Sequence, residues 1–574
     1  MATRSGRARR TLSTRGKIAL AVGAPVVFLG LLEAGLRLAA YGAEREQPAA
    51  YDYIRPKPPG TVRVMVVGGS AAAGWPFHPR GGPVPLLREL LGDVAPGQRA
   101  EVLNCAVNSL TSDGVRMLVR RLVEHEPDVL IVACGHNEFF NDPSFNRLIA
   151  GWDPRLPGLL ERSRVALLLQ DMTTFVGGGP PRDRDGPMTR AERAQAGRIG
   201  SLSDYQPGDL AEPLAENLRT IVQRARSRGA AIVLTTLPTN LRDVPPNRPR
   251  HRLDLTDAQR DAWQSHYAEG QALARQGNHE AALAAFEEAR AIDETHAGLL
   301  YAHARSLDAV GRHDLARDLF AAARDADYLP TRTTRFRNDA VRAVARQAEA
   351  GLCDAERAFE EAAPHGIPGD ALFCDHVHLT LKGAMLLARA WAMALEHEEL
   401  LGESAGWDWS AARSREAYEE ALELTAAFRA RAWADVGYQC ALAESGGVRV
   451  RAFRRPQLVE ALRARGLACL MKAQELYPAA LEEVASAPNP YARCYAARAY
   501  LAAGEAGRAV EICEELLDRA PRFALAYEVT AEARMALGDT EGAAQARRAR
   551  ARVLRAARGG DSDLSDPDAK EQAP

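Results

Sequence analysis

The chain has 574 residues, of which 47% are hydrophobic and 26% are charged, with 73 basic and 75 acidic side chains. This composition is typical of a globular protein with several domains, and it excludes wholesale disorder. A formal net charge of −2 lacks the basic excess of nucleic-acid binders, and none of the eight cysteines forms a CxxC pair. We therefore expect no nucleic-acid partner, no structural metal and no disulfide framework.

The first forty residues combine a basic segment with an apolar one. Residues 1–17 carry six basic side chains and no acidic one, and residues 18–32 are uncharged. A membrane span needs about 20 residues, so Glu33 and Arg37 would have to lie near the far interface. We expect a basic cytoplasmic tail and a single transmembrane signal-anchor at 18–40, with the rest of the chain extracytoplasmic. A cleaved signal peptide is the alternative, because small residues follow the apolar run, and a buried helix would leave the basic flank unexplained.

After a linker at 41–60, which ends in a proline-rich stretch, short apolar runs alternate with segments of helical periodicity. The strand-like runs are 62–67, 102–105, 128–134 and 231–236, and the helical segments are 86–91, 114–125 and 210–228. Continuous apolar runs of this length are typical of buried parallel strands. The alternation predicts an α/β fold with a doubly wound sheet, interrupted by a polar loop at 177–186.

A repeat of 34 residues starts after about residue 257. Gly277, Ala282, Phe286 and Ala289 recur as Gly311, Ala316, Phe320 and Ala323, and Ala497, Gly504 and Ala509 recur as Ala531, Gly538 and Ala543. This period, with small residues where helices cross, is typical of tetratricopeptide repeats. We predict inserted repeats at 257–330, helical or tetratricopeptide repeats at 408–556 and a disordered tail at 557–574. The concave surface of such repeats suggests a protein partner.

Ser70 follows the first strand within the sequence GGSAAAG. A serine at this place lies at the carboxyl edge of a parallel sheet, where α/β proteins bind ligands. A glycine-rich turn can also hold a phosphate, but the chain has neither the lysine of a P-loop nor GxGxxG spacing. We therefore expect no cofactor.

The ends of the second and third strands carry further candidates. Asn104 ends the second strand, and Asn108 and Ser109 lie in the loop that follows it. Asn137, in the sequence CGHNE, can present its amide to a developing oxyanion. A turn residue bonded to its own backbone explains Asn137 equally well.

Asp375 and His378 lie three residues apart in the sequence DHVH. A turn of this length can place the carboxylate against one imidazole nitrogen and leave the other facing a serine, which needs such a base to become a nucleophile. A metal site formed by Asp375, His376 and His378 is the alternative, although it lacks a further cluster of ligands. Taken alone, His378 would be read as a capping or core residue.

In this order, the four blocks resemble those of the SGNH (GDSL-like) hydrolase superfamily. The blocks are 68–70, 104–112, 135–138 and 375–378, and the resemblance covers 62–246 and 359–395. It implies a flavodoxin-like sheet in two parts, 61–250 and 355–398, interrupted and followed by all-α repeat segments. The architecture is similar to a subgroup that adds tetratricopeptide repeats and an N-terminal membrane segment.

The resemblance also implies roles for individual residues. Ser70 would be the nucleophile, His378 the general base and Asp375 the group that orients it. The oxyanion hole would be formed by the Asn137 side chain and the backbone N–H groups of Ser70 and of Ser109 or Asn108. The family's usual aspartate before the serine is Gly69 here, and its usual GxND is GHNE.

From these patterns we expect a membrane-anchored serine esterase that cleaves an acyl ester, of a glycan or a lipid. Ser70 precedes the Asp–His pair, unlike the order in the SGNH-like acetyltransferases of polysaccharide modification, which favours hydrolysis. One alternative is a repeat scaffold for protein partners that carries a degenerate hydrolase domain. Another is acyl transfer to an acceptor other than water.

Overall fold

The computed structural model describes residues 56–138, 211–328, 330–402, 406–445 and 456–557, together with Leu32 and Gly208. The basic tail, the predicted transmembrane segment apart from Leu32, the polar loop and nearly all of the C-terminal tail lie outside these ranges. Among the helices within them, none has both the length and the hydropathy to cross a membrane.

Five parallel strands form the central sheet, in the order β2-β1-β3-β4-β5, which is the flavodoxin-like order. The strands are β1 (Val62–Gly68), β2 (Ala100–Asn104), β3 (Val129–Ala133), β4 (Ala231–Thr235) and β5 (Gly351–Cys353). The first four confirm the predicted runs to within two residues. All residues of β3 are buried, as expected for a central strand covered by helices on both faces.

The last strand, β5, is missing from the sequence prediction, which starts the second part of the hydrolase domain at residue 355. It pairs with β4 through Val233 and Gly351 and the two pairs that follow. Its sequence, Gly-Leu-Cys, is too short to show an alternating or continuous apolar pattern. The inserted helices therefore lie between β4 and β5.

The helices that cover and extend the sheet are numbered in chain order. They are α1 (Ser70–Ala73), α2 (Pro83–Val94), α3 (Ser112–Leu122), α4 (Ala211–Arg226), α5 (Asp257–Arg275), α6 (His279–Ile292), α7 (Ala297–Ala309), α8 (His313–Asp325), α9 (Arg335–Gln347), α10 (Ala355–Ala362), α11 (Leu381–His397), α12 (Arg415–Ala421), α13 (Ala426–Ser445), α14 (Pro456–Leu476), α15 (Ala479–Ala485), α16 (Pro490–Ala502), α17 (Ala506–Arg519), α18 (Ala524–Ala536) and α19 (Thr540–Ala557). We call α5–α8 the insert and α12–α19 the C-terminal helical region.

Side chains of β1 alternate between two apolar layers. Val64 and Val66 belong to a buried cluster with residues of α2 and α11, whereas Met65 and Val67 belong to one with residues of α3, α4 and α9. Trp391 of α11 is fully buried, and its indole N–H donates to the Thr235 hydroxyl at 3.0 Å. Helices therefore cover both faces of the sheet. The carboxyl ends of its strands are the place where α/β proteins bind ligands.

The helical regions repeat a turn conformation with the period of the sequence. The glycines in the turns that join the two helices of a pair have positive φ angles of 77° at Gly277, 81° at Gly311, 86° at Gly504 and 79° at Gly538. Within the insert, a Cβ atom at Gly270 would lie 2.5 Å from the ring of Phe286, so α5 and α6 approach too closely for any larger residue. The assignment of these helices to the tetratricopeptide type stays a prediction.

The insert packs against the loop that follows β4. Leu241 is buried in one apolar cluster with Phe320 and other residues of the insert. The Tyr301 hydroxyl donates to the carbonyl oxygen of Arg242 at 2.8 Å, and Arg242 pairs with Asp308 at 3.0 Å. This loop is thus held from the side of the insert by apolar, polar and ionic contacts together.

Gly383 allows α11 to approach the segment before it, since a Cβ atom there would lie 2.2 Å from the carbonyl oxygen of Leu372. We expect Gly383→Ala to lower the free energy of unfolding by about 1–3 kcal/mol, because the overlap forces a backbone shift. Thermal unfolding of the full chain measures the change. Gly92→Ala is the matched control: Gly92 lies in α2 with open space around it, so alanine should stabilise by up to about 1 kcal/mol. Equal changes in the free energy of unfolding for Gly383→Ala and Gly92→Ala would contradict the close contact between Gly383 and Leu372.

Candidate active site

The turn from β1 into α1 places Ser70 at the carboxyl edge of the sheet. A Cβ atom at Gly68 would lie 2.1 Å from the carbonyl oxygen of Ala133, so the close approach of β3 requires glycine. At the other end of α1, the buried Asn104 amide donates to the carbonyl oxygen of Ala73 at 3.0 Å. The serine is therefore carried on a short turn that is fixed by β2 and β3.

Ser70, His378 and Asp375 form a continuous chain of hydrogen bonds. The Nε2 atom of His378 lies 2.7 Å from Oγ of Ser70, and its Nδ1 atom lies 2.6 Å from Oδ2 of Asp375. An ionised carboxylate only accepts, so Nδ1 carries the hydrogen and Nε2 is left to accept the serine proton. The structure brings together the three residues that the sequence singled out, although 308 positions separate the serine from the histidine.

Asp375 is held ionised by its own turn. Its Oδ1 atom accepts the backbone N–H groups of Val377 at 2.9 Å and His378 at 2.8 Å. Burial alone would raise the pKa of this carboxyl, but the imidazoles of His378 and His376 and the bonds to His378 hold the pKa well below its usual range. Asp375 can therefore orient the imidazole and stabilise an imidazolium.

The Asn137 amide lies beside the turn that carries Ser70. Its nitrogen donates to the carbonyl oxygen of Leu110 at 3.1 Å, and a Cβ atom at Gly69 would lie 2.9 Å from it. An amide nitrogen carries two hydrogens, so this bond leaves a second N–H for a substrate oxygen. The N–H of Ser70, as the first of α1, has no acceptor within its helix.

Asn108 and Ser109, the other two oxyanion candidates, lie directly before Leu110. Ser109 has a positive φ of 62°, which is uncommon for a residue with a side chain. The loop therefore reaches the site through Leu110, and the donation of an N–H group by Asn108 or Ser109 stays a prediction.

The residues on either side of Asn137 hold it in place. The Glu138 carboxylate accepts the N–H of Ser112 at 2.9 Å and its hydroxyl at 2.7 Å, at the first residue of α3. His136 is buried, and its Nδ1 atom accepts the N–H of Thr333 at 3.1 Å. Burial, with smaller effects of the other imidazoles of the site and Arg337, lowers the pKa of His136 well below its usual value. A neutral imidazole at this position is consistent with its acceptor role.

Two residues near the triad are not among the predicted site residues. The Trp75 ring is half-buried and meets the His378 ring edge-on, with the ring centroids 4.3 Å apart. Asn240, in the loop after β4, is fully buried, and its amide donates to the carbonyl oxygen of Asp375 at 3.1 Å. Both act on the Asp–His turn from positions distant in the chain, which a pattern within one segment does not show.

The metal alternative has no support in the described part of the chain. There, no group of three His, Cys, Asp or Glu side chains is arranged to hold a metal ion. Nδ1 of His378 contacts Oδ2 of Asp375, and Nε2 of His378 contacts Oγ of Ser70. His376 lies beside them, with Nδ1 3.5 Å from Oδ1 of Asp375.

Comparisons with known proteins give matches among solved structures alone. No family model matches the chain, and no curated relative matches it. The acetylxylan esterase Axe2 from Geobacillus stearothermophilus is 14% identical over 62% of this chain and 98% of its own, with a TM-score of 0.26. The Bacillus subtilis protein YXIM is 12% identical over 61% of this chain and 60% of its own, with a TM-score of 0.28. Identities and TM-scores this low carry no statement about activity.

The depressed pKa of His136 makes stability depend on pH in a defined window. Between the ordinary histidine pKa of about 6.5 and the lower folded value, the unfolded chain binds one more proton at this residue, so stability falls as pH falls. We expect His136→Asn, whose side-chain oxygen can still accept from Thr333, to lose less thermal stability than the original chain between pH 7 and pH 5. His397→Asn, at the exposed end of α11, is the control and should lose as much thermal stability between pH 7 and pH 5 as the original chain. Equal losses for His136→Asn and the original chain would contradict the assignment.

Proposed function

We propose that the chain is a serine esterase of the SGNH hydrolase type that cleaves an acyl ester. The observation that supports this most directly is the hydrogen-bonded chain from Asp375 through His378 to Ser70, with distances of 2.6 and 2.7 Å. The order of the four sequence blocks and the flavodoxin-like order of the strands add to the argument.

In this mechanism Oγ of Ser70 attacks the ester carbonyl carbon while its proton passes to Nε2 of His378. The resulting imidazolium is stabilised by the carboxylate of Asp375. The tetrahedral intermediate then collapses, and the departing alcohol takes the proton from Nε2. Water then attacks the acyl carbonyl carbon while Nε2 of His378 takes its proton. When the second tetrahedral intermediate collapses, the bond to Oγ of Ser70 breaks, Nε2 returns the proton to Oγ, and the acid is released.

The oxyanion of each tetrahedral intermediate would be held by the free N–H of the Asn137 amide and by the N–H of Ser70. Asn137 is suited to this because its other N–H is fixed by Leu110 and its amide lies against Gly69. An amide held in this way needs no reorganisation when charge develops on the oxygen. A larger residue at position 69, which departs from the family pattern, would require the Asn137 amide to shift.

The setting of the enzyme is a further part of the proposal. Residues 18–40 would anchor the chain in a membrane with the N-terminus in the cytoplasm, and the repeats would bind a protein partner. The basic tail, the apolar segment and the 34-residue period support these proposals. Fractionation of cells, with protease added outside the membrane, tests the orientation, since an extracytoplasmic hydrolase domain should be digested.

We expect a fluorophosphonate probe to label the purified full-length protein at Ser70, because His378 makes that hydroxyl nucleophilic. Ser70→Ala should remove labelling, and Ser70→Ala and His378→Ala should each lower kcat for a small ester by about 10⁵–10⁶-fold. Mass spectrometry of the labelled peptide and a spectrophotometric ester assay measure these effects. Ser410→Ala, at an exposed serine far along the chain, is the matched control.

The outcomes of that experiment separate the alternatives. A well-folded protein that does not label would favour the scaffold hypothesis, in which the repeats bind partners and the hydrolase domain is degenerate. Labelling at Ser70 without release of acid, unless an alcohol acceptor is added, would favour acyl transfer. Release of acid in water alone supports hydrolysis.

We expect Asn137→Ala to lower kcat for the same ester by about 10²–10³-fold, because one oxyanion donor is lost. KM should change little, since the charge develops after binding. Asn278→Ala removes an amide that caps α6 and serves as the control. An Asn137→Ala protein with unchanged kcat would overturn the assignment of this donor.

A further inference from the structure

Arg465 connects the C-terminal helical region to the segment that carries the Asp–His pair. It lies on α14, and only 13% of its side chain is exposed. Its guanidinium donates to the carbonyl oxygen of Cys374 at 2.8 Å, to Oδ1 of Asp370 at 2.7 Å and to the carbonyl oxygen of Asp243 at 3.2 Å. The first acceptor is the carbonyl directly before Asp375. All three contacts lie outside the C-terminal helical region.

Apolar packing follows the same path as the polar contacts. Cys374 is 1% exposed and belongs to one buried cluster with Cys469 and Leu470 of α14. Phe77, which follows the Ser70 turn, and Leu381, at the start of α11, belong to that cluster as well. The C-terminal helices therefore cover segments on both sides of the triad.

Asn240 holds the same segment from the end of β4. Its amide nitrogen donates to Oδ1 of Asp370 at 2.7 Å and to the carbonyl oxygen of Asp375 at 3.1 Å, and its own N–H donates to the carbonyl oxygen of His376 at 3.1 Å. Asp370 is therefore shared between Asn240 and Arg465. The carbonyls at 374 and 375 flank the Cα atom of Asp375, so movement of either displaces its carboxylate.

We propose that Arg465 is a positioning residue for the catalytic Asp–His turn, and that the C-terminal helical region is thereby part of the working active site. This inference rests on the proposed esterase function. Arg465 acts through Cys374 and Asp370 and touches neither substrate nor the reacting atoms. A planar guanidinium bonds several acceptors at fixed angles, which fixes the position of the Asp–His turn relative to Ser70.

The test compares Arg465→Met with Arg508→Met in the full-length protein. Arg508 lies in the same helical region, where it pairs with Glu482, and is the matched control. We expect Arg465→Met to lower kcat for a small ester by about 10–100-fold, since displacement of a catalytic group by about 1 Å has an effect of this order. KM should change less than threefold, and Arg508→Met should keep kcat within twofold of the original chain.

Two further variants guard against a loss that is only structural. Arg465→Lys keeps the charge with a single point donor and should recover part of the lost kcat. Asp370→Asn changes a carboxylate that is 54% exposed, retains an acceptor for Asn240 and should lower kcat in the same direction. If Arg465→Met does not fold, the kcat values of Arg465→Lys and Asp370→Asn decide whether Arg465 positions the turn.

Hydrogen–deuterium exchange makes the result independent of catalysis. In Arg465→Met the amides of residues 370–378 should exchange at least about fivefold faster, whereas Arg508→Met should leave them unchanged. If the original chain shows no esterase activity, the proposed function fails, and the exchange still decides whether Arg465 holds the turn. Unchanged exchange in 370–378, or equal loss of kcat in both methionine variants, would overturn the inference.

Discussion

Asn240 pairs all of its polar groups, and its side-chain nitrogen and backbone N–H hold the Asp–His turn at the end of β4. The nitrogen bonds Asp370 and Asp375, the side-chain oxygen accepts from the N–H of Asp243, and the backbone N–H donates to His376. The backbone carbonyl of Asn240 in turn accepts from the buried Arg332. A fully buried amide is costly unless its polar atoms are paired, so a displacement of the turn that broke these bonds would be unfavourable. The distance from His378 to Ser70 depends on the position of the turn.

The loop containing Asn240 is where the two helical regions and the sheet meet. The insert contacts it through Leu241 and Tyr301, and the C-terminal region through Arg465. A loop after a strand is normally free on its outer side, where α/β proteins recognise ligands. Here that outer side is occupied by protein. The helical regions thus form part of the support of the Asp–His turn.

Whether a feature could be predicted from the sequence depends on how far apart in the chain the residues that form it lie. The apolar runs of β1 and β3 are continuous and local, and the spacing of Asp375 and His378 lies within one turn, so both were accessible to pattern analysis. Strand β5 has three residues and is defined by its pairing with β4, which a local pattern cannot contain. Two of the three acceptors of Arg465 are backbone carbonyl oxygens, which every residue has, so residue type does not reveal them.

The separation of Ser70 from His378 has a consequence for the time at which the proposed activity can arise. The two residues are 308 positions apart, and chains are synthesised at about 5–20 residues per second. His378 is therefore synthesised about 15–60 s after Ser70. During that interval the four strands from β1 to β4 can associate, but the serine remains an ordinary alcohol. The proposed reactivity toward esters would therefore be a late property of the nascent chain, acquired only after the insert and β5 have emerged.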